Sequence, residues 1–202
     1  MRVLVAGVGN VLRRDDGFGV AVAERLAQVE LPEGTAVVET GIGGVAVVQD
    51  LLAERFDALV LVDAVDHQRA PGTLMVIEPL VIDVYDLTGE QRQDVLADAH
   101  LATPERVLML ARALGVLPPV VRMVGCQPED ADGVGTGLSA SVAAAVPRAA
   151  DEVGRIILGL DPSPRRCSGA AQKLVAKGAG PDRRMIEVPL GAANQRVGRE
   201  PW

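Results

Sequence analysis

Short apolar runs alternate along this chain with longer stretches in which apolar residues recur every three or four positions. The runs "RVLVA" (2–6), "TAVVE" (35–39), "ALVLVDAV" (58–65), "GTLMVIE" (72–78) and "PVVRMVG" (119–125) are short and rich in β-branched residues, and they predict strands. Between them, "GFGVAVAERLAQV" (17–29) places Val22, Leu26 and Val29 at helical spacing. Further helices are predicted over "GVAVVQDLLAERF" (44–56), "HLATPERVLMLARALG" (100–115) and "GLSASVAAAVPRAADEVGRIILGL" (137–160). Gly115 stops the helix over 100–115, and Pro147 predicts a kink in the last. The Pro71-Gly72 turn allows 72–78 to run antiparallel to its neighbours. Strands alternating with helices of this length predict an α/β fold: a three-layer α/β/α sandwich around a twisted, mostly parallel sheet of about five strands.

Composition supports the buried sheet. Apolar residues are 49% of the chain but aromatics only 2%, so the core must be built from Val, Leu, Ala and Ile. That suits a parallel sheet covered on both faces. The pattern ends near residue 160. Residues 1–160 read as a single domain, and 161–202, rich in Pro, Gly and Arg, as a poorly ordered tail with one short helix around Ala170–Ala176. The net charge is −7, and the tail is basic, so the acidity is concentrated in residues 1–160; nucleic acid is not expected as a partner. No apolar run approaches the roughly 18 residues of a membrane span, so no membrane partner is expected. The N-terminal "MRVLVAGVG" lacks a signal-peptide pattern, and Cys126 and Cys167 read as free thiols, so a cytoplasmic location is expected.

Ligands of open α/β sheets bind beyond the carboxyl ends of the strands. Four segments leave those ends: Gly7–Gly19, Glu39–Gly44, Asp63–His67 and Gly125–Gly137. The first reads "GVGNVLRRDDGFGV". A dinucleotide fingerprint would need a third glycine where Leu12 stands, and two carboxylates at a helix entrance repel a pyrophosphate. No P-loop is present either. Helix capping explains one aspartate of Asp15-Asp16 but leaves the second over. Asp63 closes the most apolar strand, where a buried charge must be paired or bind a cation, or else caps a turn. Of the two histidines, His67 reads as a solvated loop residue and His100 as either a helix-start residue or a ligand. Two carboxylates and an imidazole form a donor set suited to a divalent ion such as Zn²⁺ or Ni²⁺. There is no nucleophile-elbow motif, Ser139 and Ser141 have no assigned base, and Cys126 reads as a small core residue after a buried strand.

These motifs together resemble the maturation endopeptidases of nickel–iron hydrogenases. The resemblance rests on "GVGNVLRRDDGFGV", "ETGIGG", "LVDAVD", "HLATPERVLMLARALG" and "VGCQPED", in that family's order and spacing over about residues 1–160. It implies an α/β/α enzyme that clips a C-terminal extension from a hydrogenase large-subunit precursor after nickel insertion. It further implies that Asp16, Asp63 and His100 contact the metal and carry catalysis. Gly9, Asn10, Gly41, Gly43 and Gly44 would then border the substrate peptide. Nickel would arrive with the precursor rather than reside in the enzyme. Two positions depart from the family's pattern: Asp16 stands where Glu is frequent, and Ile42 where a Thr is frequent. Two other readings use the same residues: a metal-dependent hydrolase of small substrates that keeps its own ion, and a non-catalytic chaperone or nucleotide-binding module.

Overall fold

The computed structural model describes residues 1–41, 44–89, 103–160 and 185–188. Its strands are β1 (Val3–Val8), β2 (Thr35–Gly41), β3 (Ala58–Ala64), β4 (Leu74–Ile77), β5 (Val120–Cys126) and β6 (Met185–Val188). The helices are α1 (Phe18–Leu26), α2 (Val45–Ala53), α3 (Pro104–Ala113), α4 (Ala140–Ala143) and α5 (Val146–Leu160). The sheet order is β2-β1-β3-β5-β4-β6. The first four strands in that order are parallel, whereas β4 runs antiparallel to β5, with Leu74 opposite Cys126 and Ile77 opposite Met123. β6 pairs antiparallel with the outer side of β4. The remainder of 161–202, with Cys167 and the short helix expected near Ala170, lies outside the described residues.

Both faces of the sheet are covered, so β1 is buried at every position and β3 at all but its last, as their unbroken apolar runs require. Alternate residues serve opposite layers. Val3, Val5, Val60, Val62 and Val124 pack on Phe18, Val22 and Leu26 of α1 and on Val153 and Ile157 of α5. Leu4, Ala6, Leu59, Leu61 and Met123 pack on Val47 and Leu51 of α2 and on Val107 and Leu108 of α3. The result is the three-layer sandwich expected from the alternation. Among the described residues no helix is long and apolar enough to cross a membrane.

Three local differences have physical causes. The expected helix over 137–160 is broken into α4 and α5, because Pro147 sits in the first turn of α5, where its missing N–H is no loss. The helix restarts there instead of kinking. α1 ends at Leu26, which leaves Val29 exposed rather than on the buried face. β1 runs on to Val8, so the first loop begins two residues later than its glycines suggest.

The connections fix where a site can lie. β1 leads through α1 to β2 on one side, and β3 continues to β5 on the other. The chain thus changes direction between β1 and β3, which opens a crevice at their carboxyl ends. Asp16 follows β1 and Asp63 ends β3.

Candidate active site

The segment after β1 folds into a tight turn and a short 3-10 helix (Arg14–Gly17) before α1 begins. Asn10 organises it: its side-chain oxygen accepts from the Leu12 N–H (2.9 Å), its carbonyl from the Arg13 N–H (2.9 Å), and its own N–H donates to Asp16 Oδ2 (3.0 Å). Gly9 has φ 137°, and a side chain there would overlap the carbonyl oxygen of Asp16. Only glycine closes this turn. Gly19 is needed for a different reason, since a Cβ would overlap the carbonyls of Val8 and Val62. The first turn of α1 therefore rests directly on β1 and β3, and the 3-10 helix packs beside β3.

The two neighbouring aspartates separate in direction and in chemistry. Residues adjacent on a 3-10 helix point about 120° apart. Asp15 is fully buried and accepts from the N–H groups of Glu129 (2.8 Å), Asp130 (3.0 Å) and Ser139 (2.6 Å) and from the Ser139 hydroxyl (2.9 Å). Burial acts to raise its pKa, but those donors together outweigh burial and hold the carboxyl below the ordinary range. Asp16 is half-buried, and burial pushes it up despite the opposing Asn10 N–H and Arg13 charge. Asp63, 7% exposed, is raised well above the ordinary range, first by burial and then by the negative charge of Asp16. The Ala64 N–H, donating to Asp63 Oδ1 at 2.8 Å, opposes this, and Glu105 at the start of α3 adds to it.

Asp16, in the turn after β1, and Asp63, near the end of β3, thus border the same crevice, and the negative charge of Asp16 acts on the buried Asp63. A divalent cation is the group that best relieves such a pair, and carboxylate oxygens are suitable ligands for it. His100 and Gly43 lie outside the described residues, as does Ile42. Among the described residues no three of His, Cys, Asp and Glu form a metal-binding cluster. Gly41, at φ 53°, has no heavy atom of the described residues, its chain neighbours aside, within 4 Å of where a side chain would project, and Gly44 precedes α2. Among the described residues the position at Gly41 is uncovered, whereas the position at Gly9 is filled by the Asp16 backbone.

The far wall is the loop after β5. Gln127, 5% exposed, accepts the N–H groups of His67 (2.8 Å) and Arg69 (3.1 Å) and donates to Asp66 (3.0 Å), which fixes the loop that follows Asp63. His67 is half-buried there rather than solvated. Neither Gln127 nor Asp15 is singled out by periodicity; the available signal was a polar amide directly after a buried strand at the carboxyl edge. A groove of about 670 Å³ runs along this wall, bordered by Arg14, Glu129, Asp130, Thr136, Leu138 and Ser139.

Nucleophilic alternatives are disfavoured by the same geometry. Cys126 is fully buried, and burial pushes its thiol up to about 12. The Ser139 hydroxyl donates to Asp15 and that of Ser141 to Glu129 (2.9 Å), so neither is poised on an imidazole base.

A family profile described as hydrogenase maturation protease matches residues 20–156. The hydrogenase expression/formation protein HupD of Rhizobium leguminosarum bv. viciae is 32% identical over 157 residues, 77% of this chain and 74% of the relative. HoxM of Cupriavidus necator, also a hydrogenase expression/formation protein, is 31% identical over 202 residues, covering 98% of this chain and 96% of its own. Among solved structures, the hydrogenase maturating endopeptidase HybD from E. coli aligns with a TM-score of 0.59 at 28% identity, over 79% of this chain and 93% of that one.

Proposed function

The chain belongs to the hydrogenase maturation protease family, and from that premise we propose a specific reaction for it. It removes the C-terminal extension of a nickel–iron hydrogenase large-subunit precursor after nickel insertion, and the precursor's nickel is the recognition key. The observation that carries this reading is the pair Asp16 and Asp63: burial disfavours the charge on both, and the negative charge of Asp16 further disfavours that of Asp63, until a cation arrives.

Each residue then has a definite task. Asp63, fixed by the Ala64 N–H, and Asp16, fixed by the Asn10 N–H, present carboxylate oxygens to the nickel carried by the precursor. His100 supplies an imidazole as the third ligand. Three such ligands hold a free ion only modestly, so the protein alone is isolated with little metal, and ligands from the precursor complete the shell. The metal polarises the scissile carbonyl. Gly41 and Gly44 let the extended peptide approach the backbone beside it, with Asn10 and Gly9 shaping the opposite turn. An unloaded precursor lacks the bonds that bring it here, so discrimination rests on metal bonds worth several kcal/mol.

Purified precursor, with and without nickel, provides the test, read by the mass of the large subunit. Loaded precursor is shortened and nickel-free precursor stays intact at high enzyme concentration, even with zinc added. Single replacements Asp16→Ala, Asp63→Ala and His100→Ala each lower processing by about 100-fold or more with the circular dichroism spectrum unchanged. Equal cleavage of loaded and unloaded precursor would remove nickel from the mechanism.

A further inference from the structure

Asp15, the neighbour of Asp16, has work of its own, and it is not ligation. Asp15 lies wholly inside the protein, yet among the described residues the partners of its carboxylate are 114 to 124 positions away. Oδ2 accepts from Glu129 N, Asp130 N and Ser139 Oγ, and Oδ1 from Ser139 N. A backbone seam runs alongside. Asp15 N donates to Asp130 O (3.1 Å), Arg14 N to Gly135 O (3.0 Å) and Gly135 N to Leu12 O (2.9 Å). The turn that carries Asp16 is therefore fastened to the loop after β5 at Leu12, Arg14 and Asp15.

The turn needs that fastening. Arg14 sits at φ 48°, in the left-handed region, which is strained for a residue with a side chain. Strained backbone of this kind persists only where surrounding structure over-determines it. On so short a 3-10 helix, fixing the direction of one side chain fixes that of the next. We propose that Asp15 is a positioning residue for the processing reaction: it welds the turn after β1 to the loop after β5 and so holds Asp16 toward Asp63. The proposal rests on the processing function argued above. A displacement of about 1 Å in a reacting group is worth roughly 100-fold in rate, so loss of the weld acts on turnover more than on substrate capture.

Asparagine at this position keeps the size but turns one oxygen into a donor, which then faces the N–H of Ser139 or the three donors on the other oxygen. With full-length protein and nickel-loaded precursor, Asp15→Asn lowers kcat by about 50-fold or more and leaves KM within about threefold. Ser139→Ala, which removes one of the four bonds, lowers kcat by roughly three- to tenfold. Amide hydrogen exchange at Glu129, Asp130 and Ser139 quickens in Asp15→Asn. The proposal is overturned if kcat of Asp15→Asn stays within twofold of the parent, if KM rises while kcat holds, or if the loss only tracks the unfolded fraction. Should Asp15→Asn not fold, an unchanged kcat in Ser139→Ala overturns it instead. A parent that leaves loaded precursor uncut would sink the processing reading itself, whereas a parent and a variant that cut equally would sink only the role of Asp15.

Discussion

Asp63 illustrates how a residue with the role proposed above can oppose stability. Its carboxyl is raised in the folded state, so the fold binds its proton more tightly than the unfolded chain does. The stabilisation is complete below the ordinary aspartate pKa near 4 and disappears as pH rises through the folded value. At neutral pH the charge is therefore a burden. Asp63→Asn keeps the acceptor for the Ala64 N–H, and it should raise stability at pH 7 by about 0.5–2 kcal/mol in a thermal melt while processing is lost. The same direction of shift sets the acid limb of the reaction. If Asp16 and Asp63 hold the metal as proposed, both must lose their protons to do so, and kcat/KM should fall at a pH above that of an ordinary aspartate as the solution is acidified. An acid limb at or below pH 4 would contradict this assignment. At this scale the sequence was partly legible. An acid at the end of the most apolar strand stands out, and so does an acidic pair beside glycines. Which of Asp15 and Asp16 faces inward does not, because that choice depends on Arg14 entering the left-handed region and on donors more than a hundred residues away.

At the scale of elements, close contact between α1 and the sheet is set by Gly19, while a Cβ added at Gly154 in the middle of α5 meets none of the described residues beyond its own helix within 4 Å. Alanine has opposite effects at the two places. Gly19→Ala forces α1 away from Val8 and Val62 and should destabilise by about 3 kcal/mol or more in denaturant unfolding, or prevent folding. Gly154→Ala should stabilise by about 0.5–1 kcal/mol, since α5 sheds the entropy of a mid-helix glycine. The elements themselves were read well from the chain because β1 and β3 are apolar on both faces and the helices carry one buried stripe. What period alone misses is where an element stops. Pro147 can kink a helix or begin one, and only the packing of Ala149, Val153 and Ile157 against the core decides that α5 starts anew. The reversal of β4 was signalled by Pro71-Gly72, and Gly72 at φ 78° provides it.

For the whole molecule, both core layers, five strands and the Asp16–Asp63 crevice are built from residues before 161. A chain ending at Leu160 exposes the outer side of β4 in place of its pairing with β6. It should still unfold cooperatively, with Tm within a few degrees of the full chain, and it should still process precursor; a large loss in either measurement would make 161–202 part of the working domain. The weld between the turn after β1 and the loop after β5 also bears on how the enzyme comes into being. Asp15 leaves the ribosome early, but Ser139, its partner in two hydrogen bonds, follows 124 residues later. At roughly 5–20 residues per second, the start of the chain waits many seconds for the part that completes it. On the role proposed for Asp15, a half-made copy of the protein therefore has the acids but not their alignment, and it turns over no hydrogenase precursor before its own synthesis is nearly done.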